Sequence, residues 1–497
     1  MQRREFVETY ARCLRQGSGS AFLGAGVSMG AGYPSWRDLL RDIAAELKLE
    51  LDREPDLPGL VQFHLNREGK VRTRLTRIIK EHFPADKPIP EALRVLARLP
   101  LRHIWTTNYD TLPERAWAEQ RKQLDVKVAQ ADLNTDDPWA HTILYKMHGS
   151  ITQADDVVIA KGDYELYRRN RLGFIQLLTG HLISKHMLFL GFSFTDPNVS
   201  NLFALMRETF EDHPTEHFTI VKRPQKPVGR GRNVAERFAY DLRRHDLWVE
   251  DLRNYCIQTV EVDEYAEITD ILAAVETRLG RDSIMVSGSY PDLEGDAAER
   301  ARVSEIASKL GQMLARRKAR IVSGFGLTVG SALISGGLAE LYRTDSANLE
   351  RSFYLRPFPQ VIPEGYERQQ FYTRYREDLI SQAGACIFLS GVKVDPAAEG
   401  GLRMADGVLT EFEIAVRLGR VPIPLGVTGG AAAEIWSRVS ANYDELAGGM
   451  PRHLFDALNA PGITPADLVG AVSHVLEWLD RQDAPMGKSK TASRKTR

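Results

Sequence analysis

Four short segments of this chain hold the residue types that chemistry on an anionic ligand requires. They are Gly24-Ala25-Gly26-Val27-Ser28, Thr106-Thr107-Asn108-Tyr109-Asp110, His148-Gly149-Ser150 and Gly191-Phe192-Ser193. Glycines let a backbone approach a pyrophosphate closely, and free N–H groups in such a turn attract anions. Taken alone, Gly24-Ala25-Gly26 reads equally well as a simple tight turn. An imidazole such as His148 accepts a proton near neutral pH, although an isolated histidine is more often a hydrogen-bonded core residue. An amide such as Asn108 can orient water without adding charge. Placement favours a site, because each segment directly follows a short apolar run.

Those runs are Ala21-Phe22-Leu23, Ile104-Trp105-Thr106-Thr107, Ile143-Leu144-Tyr145-Lys146-Met147 and Met187-Leu188-Phe189-Leu190, each read as a strand. Further strands are expected at His217–Val221 and Thr259–Val262. Phe6, Tyr10 and Leu14 recur on one helix face. Ser35 is an N-cap for a helix carrying Leu39, Leu40, Ile43 and Leu47. Other helices are expected at Asn201–Phe210 and Ile268–Leu279. Alternating strands and helices predict a mostly parallel, doubly wound α/β sheet, whose ligands bind at the carboxyl ends of its strands.

The pattern restarts near Gly280. Strands are read at Ile284–Val286, Arg320–Ser323, Ala385–Leu389 and Val421–Leu425, with helices over 297–316, 332–341 and 409–418. The chain of 497 residues therefore divides into domains at 1–280 and 281–483, with a Lys/Arg/Ser/Thr-rich, disordered basic tail at 484–497. A net charge of −1 gives no basic surface for nucleic acid. The densest apolar run, Met187–Phe192, is far short of the ~20 residues a membrane helix needs. Cys13, Cys256 and Cys386 are too scattered for a disulfide framework or a zinc cluster, so no metal and a cytoplasmic setting are expected.

Taken together, and with Pro34-Ser35-Trp36-Arg37, the first-half segments resemble the ordered motifs of the sirtuin (SIR2) family over about residues 15–270. That resemblance implies NAD+ as substrate. Gly24, Ala25, Gly26 and Ser28 would hold the pyrophosphate, and Asn108 and Asp110 would flank the nicotinamide ribose. His148 matches the family's catalytic histidine, and Gly191 and Ser193 would contact the adenosine side. Asn108 and His148 form the expected catalytic pair. Deacylase sirtuins carry a four-cysteine zinc module that three cysteines cannot build. The stretch after His148, with Tyr164, Tyr167, Arg168, Arg169 and Arg171, shows no acyl-lysine groove. Water is then the expected acceptor and NAD+ hydrolysis the expected reaction. A sirtuin-like protein deacylase or ADP-ribosyltransferase is the alternative.

The second half has strand ends at Ser287-Gly288-Ser289, Ser323-Gly324-Phe325-Gly326 and Ser390-Gly391, without a P-loop. With Leu355–Pro359 and Asp406–Glu413 they resemble the SLOG family, whose site binds nucleotide-derived ligands. Expected contacts are Gly288, Ser289, Gly324, Gly326, Arg356, Arg374, Lys393 and Glu411. Arg374 and Lys393 are favoured over Arg376 for phosphate, and Glu411 is placed at a helix N-terminus to accept ribose hydroxyls. The glycine-poor stretch Ala405–Glu411 favours binding over catalysis there.

Two Rossmann-like domains in this order, sirtuin-type then SLOG-type, resemble the SIR2–SLOG effectors of Thoeris antiphage systems. The resemblance implies a homotetramer or larger assembly. It also implies a TIR-domain partner that makes a cyclic ADP-ribose isomer, whose binding switches on NAD+ depletion. No nucleic acid or membrane partner is expected.

Overall fold

A computed structural model describes residues 1–194, 215–226, 232–292, 296–344, 349–359, 361–398 and 401–481. The helix expected at Asn201–Phe210 and the basic tail 484–497 lie outside the described residues. The chain divides into two compact units, Met1–Glu276 and Thr277–Arg497.

The first unit is built on strands β1 (Gly19–Leu23), β2 (His103–Thr106), β3 (Leu124–Lys127), β4 (Thr142–Lys146), β5 (His186–Leu190), β6 (His217–Lys222) and β7 (Ile257–Val262). All pair in parallel, in the order β3-β4-β2-β1-β5-β6-β7. Every residue of β1 and β4 is buried, which is why these runs are apolar throughout rather than alternating. Successive connections run to one side of β1 as far as β4, then cross to β5 on its other side. The strand order therefore reverses beside β1, where an open α/β sheet leaves a crevice.

Between β1 and β2 lies a layer of helices: Trp36–Leu39, Arg41–Leu47, Leu57–Arg67, Thr73–His82 and Glu91–Arg98. Ser35 caps the first of them by accepting from Asp38 N at 3.1 Å. The single helix expected after it is broken at Leu40. Leu40, Ile43, Leu60 and Ile78 pack with Tyr109 and Ile159, so this layer shores up the segments following β2 and β4. Strand β3 and the long helix Arg232–Arg253 were not anticipated. Leu124-Asp125-Val126-Lys127 is a half-buried edge with little apolar signal, and the long helix is strongly polar.

Three partly or fully buried histidines of the first unit, His103, His181 and His217, are held below the usual imidazole range. The His103 and His181 rings lie 4.3 Å apart, and His181 Nδ1 accepts from Trp105 Nε1 at 3.0 Å. His217 Nδ1 accepts from Met187 N at 3.2 Å. Burial holds His103 down to about 3, with His181 beside it adding to the shift. Burial likewise lowers His181 to about 4 and His217 to about 3.

The second unit contains β8 (Ser283–Ser289), β9 (Arg320–Ser323), β10 (Phe353–Leu355), β11 (Ala385–Ser390), β12 (Val392–Val394), β13 (Leu402–Met404) and β14 (Val421–Leu425). Five of them form a parallel sheet in the order β10-β9-β8-β11-β14, and β12 and β13 form an antiparallel hairpin. Helices Ala297–Arg316 and Val329–Arg343 cross with no room for side chains. A Cβ on Gly311 would collide with Leu333 O, and one on Gly336 with Ser308 O.

The buried histidines make stability depend on pH. An unfolded histidine titrates near about 6.5. Between that value and the depressed folded values the unfolded chain binds more protons, so stability falls as pH drops through this window. Melting temperature should decline from neutrality toward about pH 5, and His217→Gln should flatten the decline. An unchanged slope in that variant would remove His217 from the account.

Candidate active site

Pairing register brings the expected motifs to one line. Leu23 is opposite Thr106 and Leu190, and Thr106 is opposite Lys146. The chain thus leaves four adjacent strands at the same level, into Gly24, Asn108, His148 and Gly191. From β4 to β5 the row spans three strand spacings, about 14 Å, the scale of a dinucleotide.

At the β1 end the backbone passes from β1 into the short helix Ala25–Met29 and touches the chain leaving β5. Gly24 N donates to Leu190 O at 2.8 Å and Gly26 N to Gly191 O at 2.9 Å. A Cβ on Gly26 would lie 2.8 Å from Gly191 Cα, and one on Gly24 would collide with Gly191 O. Gly191 itself has φ +62°. The expectation of free N–H groups here needs correction, because those of Gly24 and Gly26 are spent on the neighbouring strand. These glycines are required first by a backbone crossing. Ala25 and Gly26 are nevertheless exposed beside it, as is Ser193 beyond Gly191.

The Asn108 side chain is held by two acceptors. Its Nδ2 donates to Gly24 O at 2.9 Å and to Ser28 Oγ at 2.8 Å. A carbonyl can only accept, so these bonds fix the amide's rotation and direct Oδ1 away from Gly24. Thr106 Oγ1 donates to Leu23 O and accepts from Asn108 N, tying the start of the loop to β1. Ser28 Oγ donates to Asp110 Oδ2 at 2.5 Å, and Asp110 Oδ1 accepts from Leu112 N at 2.9 Å. Asp110 is 1% exposed and Ser28 5%. Both carboxylate oxygens are occupied within the protein, so Asp110 supports Asn108 through Ser28 rather than presenting itself to a ribose.

His148 follows β4 in a turn closed by Gly149 N donating to Lys146 O at 3.0 Å. Gly149 adopts φ +93°, and its Cβ would press on Val157 Cα at 3.0 Å. The imidazole is flanked edge-on by Tyr164 and Tyr167, with ring centroids 5.6 and 5.9 Å away. Buried Arg171 donates to Val128 O and pairs with Asp156 at 2.7 Å, holding the segment that borders His148. Sequence reasoning noted these tyrosines and Arg171 without giving them a place. It missed Lys146, whose signal was a charge inside an otherwise apolar strand.

In the second unit, a Cβ on Gly288 would collide with Leu389 O, and one on Gly326 with Gly288 O, so these glycines also let backbones touch. Ser289 Oγ donates to Val392 O at 2.9 Å. Gly324 has only Leu379 Cδ2 within reach, at 3.4 Å. Glu411 is the sixth residue of helix Asp406–Arg417, not its N-terminus, where Asp406 stands instead. Its carboxylate accepts from Ser287 Oγ at 2.5 Å and lies 3.5 Å from Arg376 Nε. Burial raises its pKa, and Ser287 and Arg376 oppose that.

The preference for Arg374 is likewise corrected. Tyr372, Tyr375 and Arg376 share the inward face of helix Arg368–Ile380. Tyr375 donates to Pro357 O, and the Arg376 guanidinium lies 4.5 Å from the Phe358 ring centroid. Arg374 is exposed and lines an outer groove with Gln370, Thr373 and Glu377. Lys393 is paired with Asp406 at 2.5 Å. Exposed Arg356 lies over the Tyr354 ring at 4.9 Å.

The fold and the row of strand ends define a sirtuin-type unit followed by a second nucleotide-type α/β unit. Residues 102–242 match the SIR2-like domain and residues 267–479 the Sir2- and TIR-associating SLOG family. The chain is 34% identical to NAD(+) hydrolase ThsA of Bacillus cereus (strain MSX-D12), over 95% of this chain and 98% of that protein. It is 33% identical to NAD(+) hydrolase ThsA of Acinetobacter baumannii (strain 532279), over 95% and 98% respectively. A shorter likeness, 27% over 44% of this chain and 22% of the relative, reaches Defense-associated sirtuin 2 of Bacillus subtilis. The chain belongs to the ThsA family.

The crossing at Gly191 can be tested directly. A Cβ there would stand 2.5 Å from Val27 N on a backbone already at φ +62°. Gly191→Ala should cost about 2 kcal/mol or more in urea denaturation. A loss under about 0.5 kcal/mol would mean that the two backbones part easily.

Proposed function

We propose that this protein hydrolyses NAD+ to ADP-ribose and nicotinamide at the β4-β2-β1-β5 edge, under the control of a nucleotide bound by the second unit. The orientation of Asn108 carries the reading. Two donated bonds leave its carbonyl oxygen as the group offered to a ligand, in the same row as His148.

Cleavage of the glycosidic bond sends its electron pair to the nicotinamide nitrogen. The ring thereby loses its positive charge and leaves neutral, without an acid. The ribose carbon becomes oxocarbenium-like and takes up water. Asn108 Oδ1 orients that water or a ribose hydroxyl, and His148 accepts the proton released as the new C–O bond forms. Gly24, Ala25 and Gly26 offer a surface without side-chain bulk to the pyrophosphate, with Gly191 and Ser193 toward the adenosine side. Asp110 and Ser28 hold the amide. The family name supports the substrate, and the three scattered cysteines leave no zinc module for a deacylase.

The activating ligand is a cyclic ADP-ribose isomer supplied by a TIR-domain protein, and the outcome is NAD+ depletion in antiphage defence by a homo-oligomer. The SLOG match, described as Sir2- and TIR-associating, and the defence-associated relative support this. Gly288, Ser289, Gly324, Gly326, Arg356, Lys393 and Glu411 surround that ligand, with Arg376 replacing Arg374 as its phosphate partner. Activation requires that the ligand bind the active arrangement more tightly than the inactive one.

Nicotinamide release from NAD+, measured with and without cyclic ADP-ribose isomers, is the decisive experiment. Asn108→Ala and His148→Ala should each abolish release while nucleotide binding to the second unit persists. A retained rate in both would reject the assignment. Arg376→Ala should raise the activating concentration about tenfold or more, whereas Arg374→Ala should leave it within about twofold.

A further inference from the structure

Lys146 is 0% exposed, at the end of a central strand. A lysine keeps its charge in such a place only with partners. Its ammonium has three protons to donate and three acceptors around it: Asp110 O at 2.6 Å, Glu114 Oε1 at 2.8 Å and Tyr109 O at 3.3 Å. Two of these are the carbonyls that immediately follow Asn108. At its other end, the Lys146 carbonyl closes the turn that carries His148. One path from one candidate catalytic residue to the other therefore runs through a single side chain, beside the backbone bond from Met147 N to Thr106 O at 3.1 Å. Glu114, on helix Leu112–Glu119, holds the ammonium from a third direction.

We propose that Lys146 is a positioning residue that sets the separation of Asn108 and His148, acting as a strut between their two loops. Other ties join the same region. Ile151 N donates to Tyr109 O at 2.8 Å, Tyr109 OH to Val158 O at 2.7 Å, and Val158 N to His148 O at 2.9 Å. Those fasten the loops through the segment downstream of His148. Lys146 reaches the Asn108 loop from the base of the His148 turn, where a small change in side-chain length moves one residue against the other. The inference rests on the NAD+ hydrolase reading.

The test compares the full-length protein with Lys146→Met, the double variant Lys146→Met/Glu114→Gln and Lys146→Arg. Nicotinamide release is followed with the cyclic ADP-ribose isomer that gives the unsubstituted chain its highest rate, alongside thermal melting. Lys146→Met leaves Glu114 unpaired and should melt lower. Its kcat should fall about a hundredfold with KM for NAD+ within about twofold, the signature of misaligned groups rather than lost binding. The double variant leaves no carboxylate without its cation, so it should regain melting temperature but not kcat. Lys146→Arg keeps the charge and should fold, with an intermediate kcat. Should Lys146→Met not fold, the other two decide. A double variant that recovers kcat together with stability overturns the proposal and leaves Lys146 a stabilising residue only. A folded Lys146→Met with kcat near that of the unsubstituted chain does the same. An unsubstituted chain that releases no nicotinamide with any isomer ends the hydrolase reading and the strut together.

Discussion

The contact between the backbone leaving β1 and the backbone leaving β5 governs the geometry of the first unit. Gly24 and Gly26 meet Gly191 with no space for a Cβ on any of the three, and two N–H groups bond across the contact. The contact lies where the strand order reverses. It closes the crevice floor between β1 and β5 and sets the height of the Ala25–Met29 helix against the sheet. Ser28, on that helix, is thereby brought under the Asn108 amide. A side chain at any of the three glycines would push the helix outward, and the amide would lose both acceptors at once. The glycine turn usually credited to phosphate binding therefore has a prior structural duty, and its openness to a ligand follows from that duty.

The same economy applies to the polar groups. Buried hydrogen-bonding atoms are usually satisfied, and in the group formed by Asn108, Ser28 and Asp110 the partner that satisfies a side chain also orients it. Asp110 has no exposed oxygen to offer, yet it keeps Ser28 Oγ donating toward itself. The Ser28 lone pair is then available to the Asn108 NH2. The amide cannot flip without placing its oxygen against Gly24 O. The chemistry expected of a carboxylate next to an asparagine thus becomes an orientational one.

Much of this was legible in the sequence, and the failures have physical reasons. The four strand ends could be found because parallel strands are continuous apolar runs, and each stops abruptly at a small or polar residue. Which strands were neighbours could not be read, because pairing order is decided by crossover connections rather than local pattern. Edge strands such as β3 and β10 carry too few buried residues to announce themselves. Glu411 was misplaced because the chain enters its helix at Asp406, five residues earlier, by way of the β12–β13 hairpin. The choice between Arg374 and Arg376 turned on which helix face packs inward. Tyr372 and Tyr375 could have settled that, since aromatic residues at i and i+3 mark the buried side and Arg376 continues it.

Arg376 and Glu411 also suggest how a nucleotide could act on the second unit. Their separation of 3.5 Å is looser than a good charged hydrogen bond, and burial disfavours the ionised carboxylate. The pair is therefore poorly satisfied as it stands. A ligand bearing phosphate and ribose hydroxyls carries the opposite set of groups, an anion for the guanidinium and donors for the carboxylate. Binding would exchange one long pairing for two closer ones. Arg376 also lies over Phe358 and Tyr372, so its movement toward a phosphate would change its contacts with those rings. Differential affinity between two arrangements is the requirement for any ligand-driven switch, and under the proposed reading these four side chains would supply it without a distant contact.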